Sequence, residues 1–136
     1  MIRDIVRDPA FLSKKSKPAT KRDLSIGQDL LDTLHANSYR CVGLAANMIG
    51  ELKNVIVVHT EFMDLVMYNV KILSKSDPYE VKEGCLSLDG ERTTTRYQSI
   101  RIQYRDASFT NCVSEFKGFT AQIIQHELDH CQGILI

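Results

Sequence analysis

The stretch QHELDH, residues 125–130, places two histidines four positions apart, with a glutamate directly after the first. Side chains at positions i and i+4 lie on one face of an α-helix, about one turn apart, so His126 and His130 can bind the same metal ion. Glu127 can then reach the open side of that ion and act as a general base toward water. The stretch therefore predicts a metal site on a helix and indicates hydrolysis of an amide-type bond.

The segments around this stretch predict an α+β fold. A helical pattern covers residues 118–131, and Gly133 just beyond it is a typical C-terminal stop. Thr20 and Asp23 form a candidate capping box for an amphipathic helix at about 21–38. The predicted strands are residues 54–59, 64–73 and 96–104, and residues 42–50 are expected to form a closely packed loop. We expect mostly antiparallel strands packed around the C-terminal metal-binding helix.

Length and composition exclude several classes of protein. With 136 residues the chain has the size of one compact domain, which we place at residues 1–136. Lys+Arg and Asp+Glu both number 17, so the basic excess typical of nucleic-acid-binding surfaces is missing. No apolar run is long enough to span a membrane, and the N-terminus lacks the apolar core of a secretory signal. We therefore expect a cytoplasmic protein without a membrane segment, a specific nucleic-acid partner or disulfides.

A catalytic metal site needs a third protein ligand and an open position for water. No Glu, Asp or His follows His130, so this ligand must come from upstream. Cys131 lies about 100° around the helix from His130 and cannot reach the same ion. Cys85 is the best placed by local chemistry, because Gly84 before it allows close backbone approach and the N–H group after it could bind an oxyanion. The candidates are Cys41, Cys85, Cys112, His35, His59 or a carboxylate.

Three segments of the chain resemble the signature motifs of peptide deformylases, which remove the N-formyl group from the starting methionine of new bacterial proteins. The segments are GLAANMIG at residues 43–50, EGCLS at residues 83–87 and QHELDH at residues 125–130. Their order and separation also fit, and the resemblance covers nearly the whole chain. It implies an enzyme that acts on N-formylmethionyl peptides or nascent chains, with transient proximity to the ribosome.

The resemblance also implies roles for individual residues. Cys85, His126 and His130 would hold one divalent metal ion, with water as the fourth ligand. Fe(II) is the metal implied in the cell, and Ni, Co or Zn can occupy such a site, since imidazole and thiolate ligands suit all of them. Glu127 would carry a proton from the water to the leaving amine, and the backbone N–H of Leu86 would stabilise the oxyanion.

Further positions are implied to bind the substrate. The backbone of the first motif would pair with the extended peptide beside the metal. Gln122 lies one turn before His126, where the family often has an apolar residue, and makes that side of the cleft more polar. The predicted substrate-binding residues are Val42, Gly43, Leu44, Glu83, Gly84 and Gln122.

The sequence departs from the family pattern at Met48, where the family has a glutamine that stabilises the oxyanion. Met has no N–H donor, and loss of one such donor costs about 10²–10³ in rate in other enzymes. The neighbouring Asn47 points elsewhere and is not expected to replace it. Cys41 also stands where the family usually has glycine. The alternative hypothesis is therefore a deformylase-like protein that binds metal and peptide with weak or no catalytic activity.

Overall fold

The computed structural model describes residues 1–136 and contains three α-helices and five β-strands. The helices are α1 (Pro9–Leu12), α2 (Leu24–Ala36) and α3 (Gly118–Cys131), and short 3₁₀ turns occupy Lys21–Asp23 and Ala46–Ile49. The strands are β1 (Gly43–Ala45), β2 (Val55–His59), β3 (Asp64–Cys85), β4 (Leu88–Arg105) and β5 (Asn111–Lys117). No helix is both long and apolar enough to cross a membrane.

The strands form one five-stranded antiparallel sheet in the order β1-β2-β3-β4-β5. Each strand pairs with the next one in sequence, as in the registers Val57↔Val66 and Ile72↔Ile102. The helix α3 packs against β1, β2 and β4. This architecture confirms the predicted α+β fold with antiparallel strands around the C-terminal helix.

The sequence signals for both long helices are confirmed. Thr20 and Asp23 form the predicted capping box, in which the Thr20 N–H donates to Asp23 Oδ2 at 2.8 Å. The helix α3 has the predicted bounds, and Gly133 follows it with φ of 78°. Because this left-handed conformation suits glycine, it ends the helix without strain.

The strands differ more from expectation. Residues 43–45, predicted as loop, form the edge strand β1, because the closely packed segment pairs with β2 at Leu44↔Val57. The strands β3 and β4 extend well beyond the predicted ranges, and β5 was not predicted. The half-buried positions of β5 are Cys112, Ser114 and Phe116, which give only a weak apolar alternation.

The core of the molecule lies between the sheet and the helices. Fully buried side chains include Ile56 of β2, Ile102 of β4 and Ile124 of α3. The N-terminal residues also belong to this body, since the Val6 N–H donates to Met48 O at 2.8 Å. Residues 43–49 lie next to α3 and are held by β2 on one side and by the N-terminal residues on the other.

Candidate metal centre

Three side chains converge between the end of β3 and one face of α3. Cys85 is the last residue of β3, and His126 and His130 lie one turn apart on α3. His130 Nε2 lies 3.2 Å from Cys85 Sγ and 3.2 Å from His126 Nε2. The three donor atoms lie within 4.8 Å of one another. Ligands of a tetrahedral ion at bond lengths of about 2.0–2.3 Å lie roughly 3.3–3.8 Å apart, so the cluster fits one metal ion.

The other candidates for a third ligand do not join this cluster. His35 and His59 lie on the surface, where each contacts Asp64 at 2.6 Å. Cys41 lines the same cleft, but its thiol donates to Gly43 O at 3.0 Å, and burial raises its pKa to about 12. Cys112 lies on β5, where its thiol contacts Asp106. Among these cysteines and histidines, only Cys85 places its donor atom within 4.8 Å of the donor atoms of both His126 and His130.

A buried ion pair orients His126. His126 Nδ1 lies 2.8 Å from Glu83 Oε1, which leaves its Nε2 facing the other two donors. Arg96 binds both oxygens of Glu83, at 3.2 and 3.0 Å from its Nε, and also reaches Asp129 at 2.6 Å. Burial alone would raise the pKa of Glu83. The hydrogen bonds from His126 and Arg96 outweigh this effect and lower the pKa of Glu83 to about 2. Glu83 therefore stays ionised and fixes the imidazole ring.

The sequence reasoning missed this ion pair, although a signal for it was present. Arg96 shares its strand parity with Ile100 and Ile102, whose side chains are buried. An arginine on the inward face of a strand requires a buried anionic partner. Gln122 adds a further contact, since its Nε2 donates to Glu83 Oε2 at 2.9 Å. The predicted role of Glu83 in binding substrate stays a prediction, and its contacts here are with His126, Arg96 and Gln122.

Glu127 is buried beside the cluster, and its Oε1 has no hydrogen-bond partner. Burial raises the pKa of Glu127 to about 7, which suits a group that takes up and releases a proton near neutral pH. The Nδ1 atom of His130 is likewise buried without a partner. Gly43 is needed here, because a Cβ atom at this position would lie 2.9 Å from Glu127 Oε2. The unpartnered Glu127 oxygen next to the cluster is available to a further hydrogen-bonding group.

A cleft of about 260 Å³ leads to the cluster. Of the predicted substrate-binding residues, Val42, Gly43, Glu83, Gly84 and Gln122 line it, together with Met48 and Leu86. Leu44 does not line the cleft, and its side chain is fully buried in the core. Because Leu44 belongs to the edge strand β1, only its backbone is available to an extended peptide.

The groups predicted to lie near the oxyanion differ in whether they can donate a hydrogen bond. The N–H group of Leu86 makes no backbone hydrogen bond and is free to donate. Met48 is buried, and its sulfur accepts from the Ala45 N–H at 3.5 Å. Asn47 donates to His130 O at 2.9 Å, so its side chain holds α3 and does not face the cleft. The site therefore has a backbone donor but no side-chain amide from the first motif.

Comparisons of the sequence with known proteins give consistent matches. A family model described as polypeptide deformylase matches residues 2–136. The chain is 52% identical over 136 residues to the peptide deformylase of Clostridium beijerinckii, and both chains are covered in full. It is 38% identical over 113 residues to peptide deformylase 1 of Clostridium perfringens, which covers 79% of this chain and 74% of that one.

Solved structures match over almost the entire chain. The peptide deformylase of Thermotoga maritima aligns with a TM-score of 0.89 and 28% identity, covering 99% of this chain and 95% of that one. The Met-Ala-Ser-bound class I type b peptide deformylase of Acinetobacter baumannii aligns with a TM-score of 0.90 and 26% identity, covering 99% and 97%. The fold and the sequence thus point to the same set of relatives.

Proposed function

The chain belongs to the polypeptide deformylase family, and from this premise we propose that Cys85, His126 and His130 hold the metal of the reaction. The enzyme is a hydrolase that removes the formyl group from the N-terminal methionine of new polypeptide chains. The comparisons do not favour the alternative of a binding protein with weak or no activity. The convergence of one thiol and two imidazoles beside a buried, unpartnered glutamate is the observation that supports the assignment most directly.

The donor set fits a divalent transition metal. A bound ion of this kind supplies Lewis-acid chemistry, acidifying a water molecule and polarising a carbonyl oxygen. We infer Fe(II) in the cell, with Ni, Co or Zn able to take its place, because imidazole and thiolate ligands accept all four. The inferred compartment is the cytoplasm, where thiols stay reduced and the nascent chain is met near the ribosome.

We propose that Glu127 transfers the proton during the reaction. Its carboxylate takes a proton from the attacking water and passes it to the methionine nitrogen as the C–N bond of the formamide breaks. The products are then formate and a free amino terminus, and the glutamate returns to its starting state. A buried carboxyl group with a pKa of about 7 can both accept and release the proton at neutral pH.

The remaining groups position the substrate. The Leu86 N–H is proposed to donate to the oxyanion that forms when water adds to the formyl carbon. Since β1 pairs only with β2, its outer edge can pair with an extended peptide. Val42, Gly43 and Gly84 then flank the peptide in the cleft, and Gln122 contributes the polar side wall.

The proposal is tested by assaying deformylation of formyl-Met-Ala-Ser by protein loaded with Fe(II) or Ni under anaerobic conditions. Glu127→Gln keeps the shape of the side chain but removes the base, and we expect it to retain metal while losing about 10²–10⁴ in kcat. Cys85→Ala should lose most of its bound metal by elemental analysis.

Cys131→Ala is the matched control for the metal measurement, since Cys131 is a buried thiol next to His130 that lies outside the cluster. Equal metal loss in the two cysteine variants would contradict the ligand assignment. An active Glu127→Gln enzyme would contradict the role of Glu127 as the base.

A further inference from the structure

The open rim of the cleft carries exposed cationic side chains. Arg40 and Lys82 line the cleft itself. A second cavity of about 400 Å³ adjoins it, and Arg40 lines this cavity as well, together with Arg7. All three side chains belong to exposed residues. The one acidic residue at the second cavity is Asp89, whose side chain is fully exposed and lies 3.7 Å from Arg7.

The acidic groups inside the cleft do not offset these cations. Glu83 is engaged by Arg96 and His126, so its charge is balanced internally. Glu127 is buried next to the donor cluster and is not part of the exposed rim. The rim is therefore positive, although the chain as a whole has a net charge of zero. This asymmetry places the positive potential where a substrate enters.

The geometry determines which part of a substrate meets the rim. The formyl carbon must reach the cluster of Cys85, His126 and His130 at the closed end of the cleft. The peptide beyond the methionine must then leave through the open side. The two cavities share Gly84, Cys85 and Leu86 as well as Arg40, so together they form one continuous path away from the cluster.

We propose that Arg40, Lys82 and Arg7 make the enzyme prefer formyl peptides with acidic side chains in the residues that follow the methionine. This inference rests on the proposed function and adds a substrate preference to it. Exposed ion pairs contribute little individually, so we expect a difference of about threefold to tenfold in kcat/KM between matched acidic and basic peptides. The preference should weaken as salt is raised, because exposed charges are screened.

The test compares formyl-Met-Ala-Glu-amide with formyl-Met-Ala-Lys-amide, and the same pair with the charged residue moved one position in either direction. The C-terminal amide removes a carboxylate that would otherwise add its own charge. We expect kcat/KM to favour the Glu peptide at low salt at one or more positions. Arg40→Glu should abolish or invert that ratio, whereas Asp89→Asn should increase it, because Arg7 loses its competing partner.

Arg101→Glu is the matched control, since it makes the same change in net charge at an exposed residue of β4 that lines neither cavity. It should leave the ratio unchanged. Turnover of all peptides with a ratio near one, or equal effects of Arg40→Glu and Arg101→Glu, would overturn the inference while leaving the deformylase activity in place.

If no turnover is detected, the binding of product peptides still tests the preference for acidic residues separately from the proposed catalytic roles. The products Met-Ala-Glu-amide and Met-Ala-Lys-amide are titrated into the metal-loaded protein by calorimetry. Tighter binding of the Glu product that is lost in Arg40→Glu supports the rim preference, even where the proposed catalytic roles fail. Equal binding of the two products overturns it.

Discussion

Met48 lines the cleft at the position where the family has an oxyanion-stabilising glutamine, and we predict that it limits the rate of the reaction. Its sulfur accepts a hydrogen bond from the Ala45 N–H. A glutamine side chain at this position would offer an acceptor oxygen and also an NH₂ donor, which methionine lacks. In Met48→Gln, the amide oxygen can keep the contact to Ala45 while the NH₂ group faces the oxyanion. Because one such donor contributes about 10²–10³ in other enzymes, we expect kcat/KM on formyl-Met-Ala-Ser to rise at least about tenfold.

Met48→Leu is the control for this prediction, since it removes the sulfur and adds no donor. It should not raise kcat/KM. An unchanged rate in Met48→Gln would mean that the oxyanion is already held by other groups, such as the Leu86 N–H.

At the residue scale, the sequence predicted the donor cluster of the proposed metal site better than the contacts around it. The spacing of His126 and His130 is a local property of one helix, and it identified the pair without a structure. Cys85 was one of several candidates, because only the fold brings β3 to α3. The Glu83–Arg96 ion pair joins two strands in a register that local patterns do not specify, and it was missed.

Gly27 shows how packing overrides propensity within α2. A glycine inside a helix usually costs about 1 kcal/mol relative to alanine, and on this ground Gly27→Ala would stabilise the protein. In the structure, however, a Cβ atom at Gly27 would lie 1.9 Å from Tyr68 Oη and 2.7 Å from Val66 Cγ1. We therefore expect Gly27→Ala to lower the free energy of unfolding by about 1–3 kcal/mol, measured by urea denaturation.

Two variants support the interpretation of this change. Ser25→Ala, at an exposed position of the same helix, should alter stability by only a few tenths of a kcal/mol. Tyr68→Phe removes the hydroxyl that donates to Leu24 O at 3.0 Å, and it should partly relieve the defect of Gly27→Ala. A Gly27→Ala protein more stable than the parent would show that α2 is free to move away from β3.

Asp64 joins three elements, since its carboxylate at the start of β3 contacts His35 of α2 and His59 of β2. Partial burial alone would raise the pKa of Asp64. The hydrogen bonds with His59 and His35 outweigh this effect and lower the pKa of Asp64. A carboxyl group with a depressed folded-state pKa stabilises the protein above its unfolded pKa of about 3.9. This contribution is lost as the pH falls through the folded-state pKa.

Asp64→Asn should therefore be less stable than the parent near pH 6, by up to about 1 kcal/mol because both histidines are largely exposed. The difference should disappear at a second, lower pH at which Asp64 is protonated in the folded protein. Urea denaturation of the chelator-treated proteins at both pH values measures it, with Asp4→Asn as an exposed control. A stability difference that persists unchanged at low pH would assign the effect to packing rather than to the charge of Asp64.

At the element scale, the helices were easier to predict than the strands. The helix signals are caps and spacings within one segment, as at Thr20 and Gly133, and the structure confirms them. The limits of β3 and β4 depend on pairing between strands, and many of their outer residues are polar and exposed. Their half-buried positions include polar residues such as Arg92 and Thr94, so the strand conformation cannot be read from an alternation of hydrophobic residues.

At the scale of the whole molecule, the proposed metal connects parts of the fold that are far apart in sequence. Cys85 closes the long strand β3, and His130 lies on α3, 45 residues later. The order of the motifs along the chain predicted the family, and the family match over residues 2–136 confirms it. The side-chain contacts between the end of β3 and α3 arise only in the assembled sheet and helix.

Metal binding should therefore stabilise the entire fold. The proposed ligands lie on separate elements, so one bound ion would hold the end of β3 against α3. A ligand that binds only the folded state adds about 2.7 kcal/mol at 100 times its Kd. For a chain of this size we expect removal of the metal to lower Tm by roughly 10 °C in a thermal scan.

Cys85→Ser and Cys131→Ser distinguish this effect from a general loss of stability. Both replace a thiol by a hydroxyl, but only Cys85 belongs to the donor cluster. The Tm of Cys85→Ser should respond weakly to added Ni or to chelator, while Cys131→Ser should keep the full metal-dependent shift even if its baseline Tm is lower. If the parent protein binds one metal ion but melts at the same temperature after the ion is removed, β3 and α3 are held together without it, and metal loading has no role in stabilising the fold.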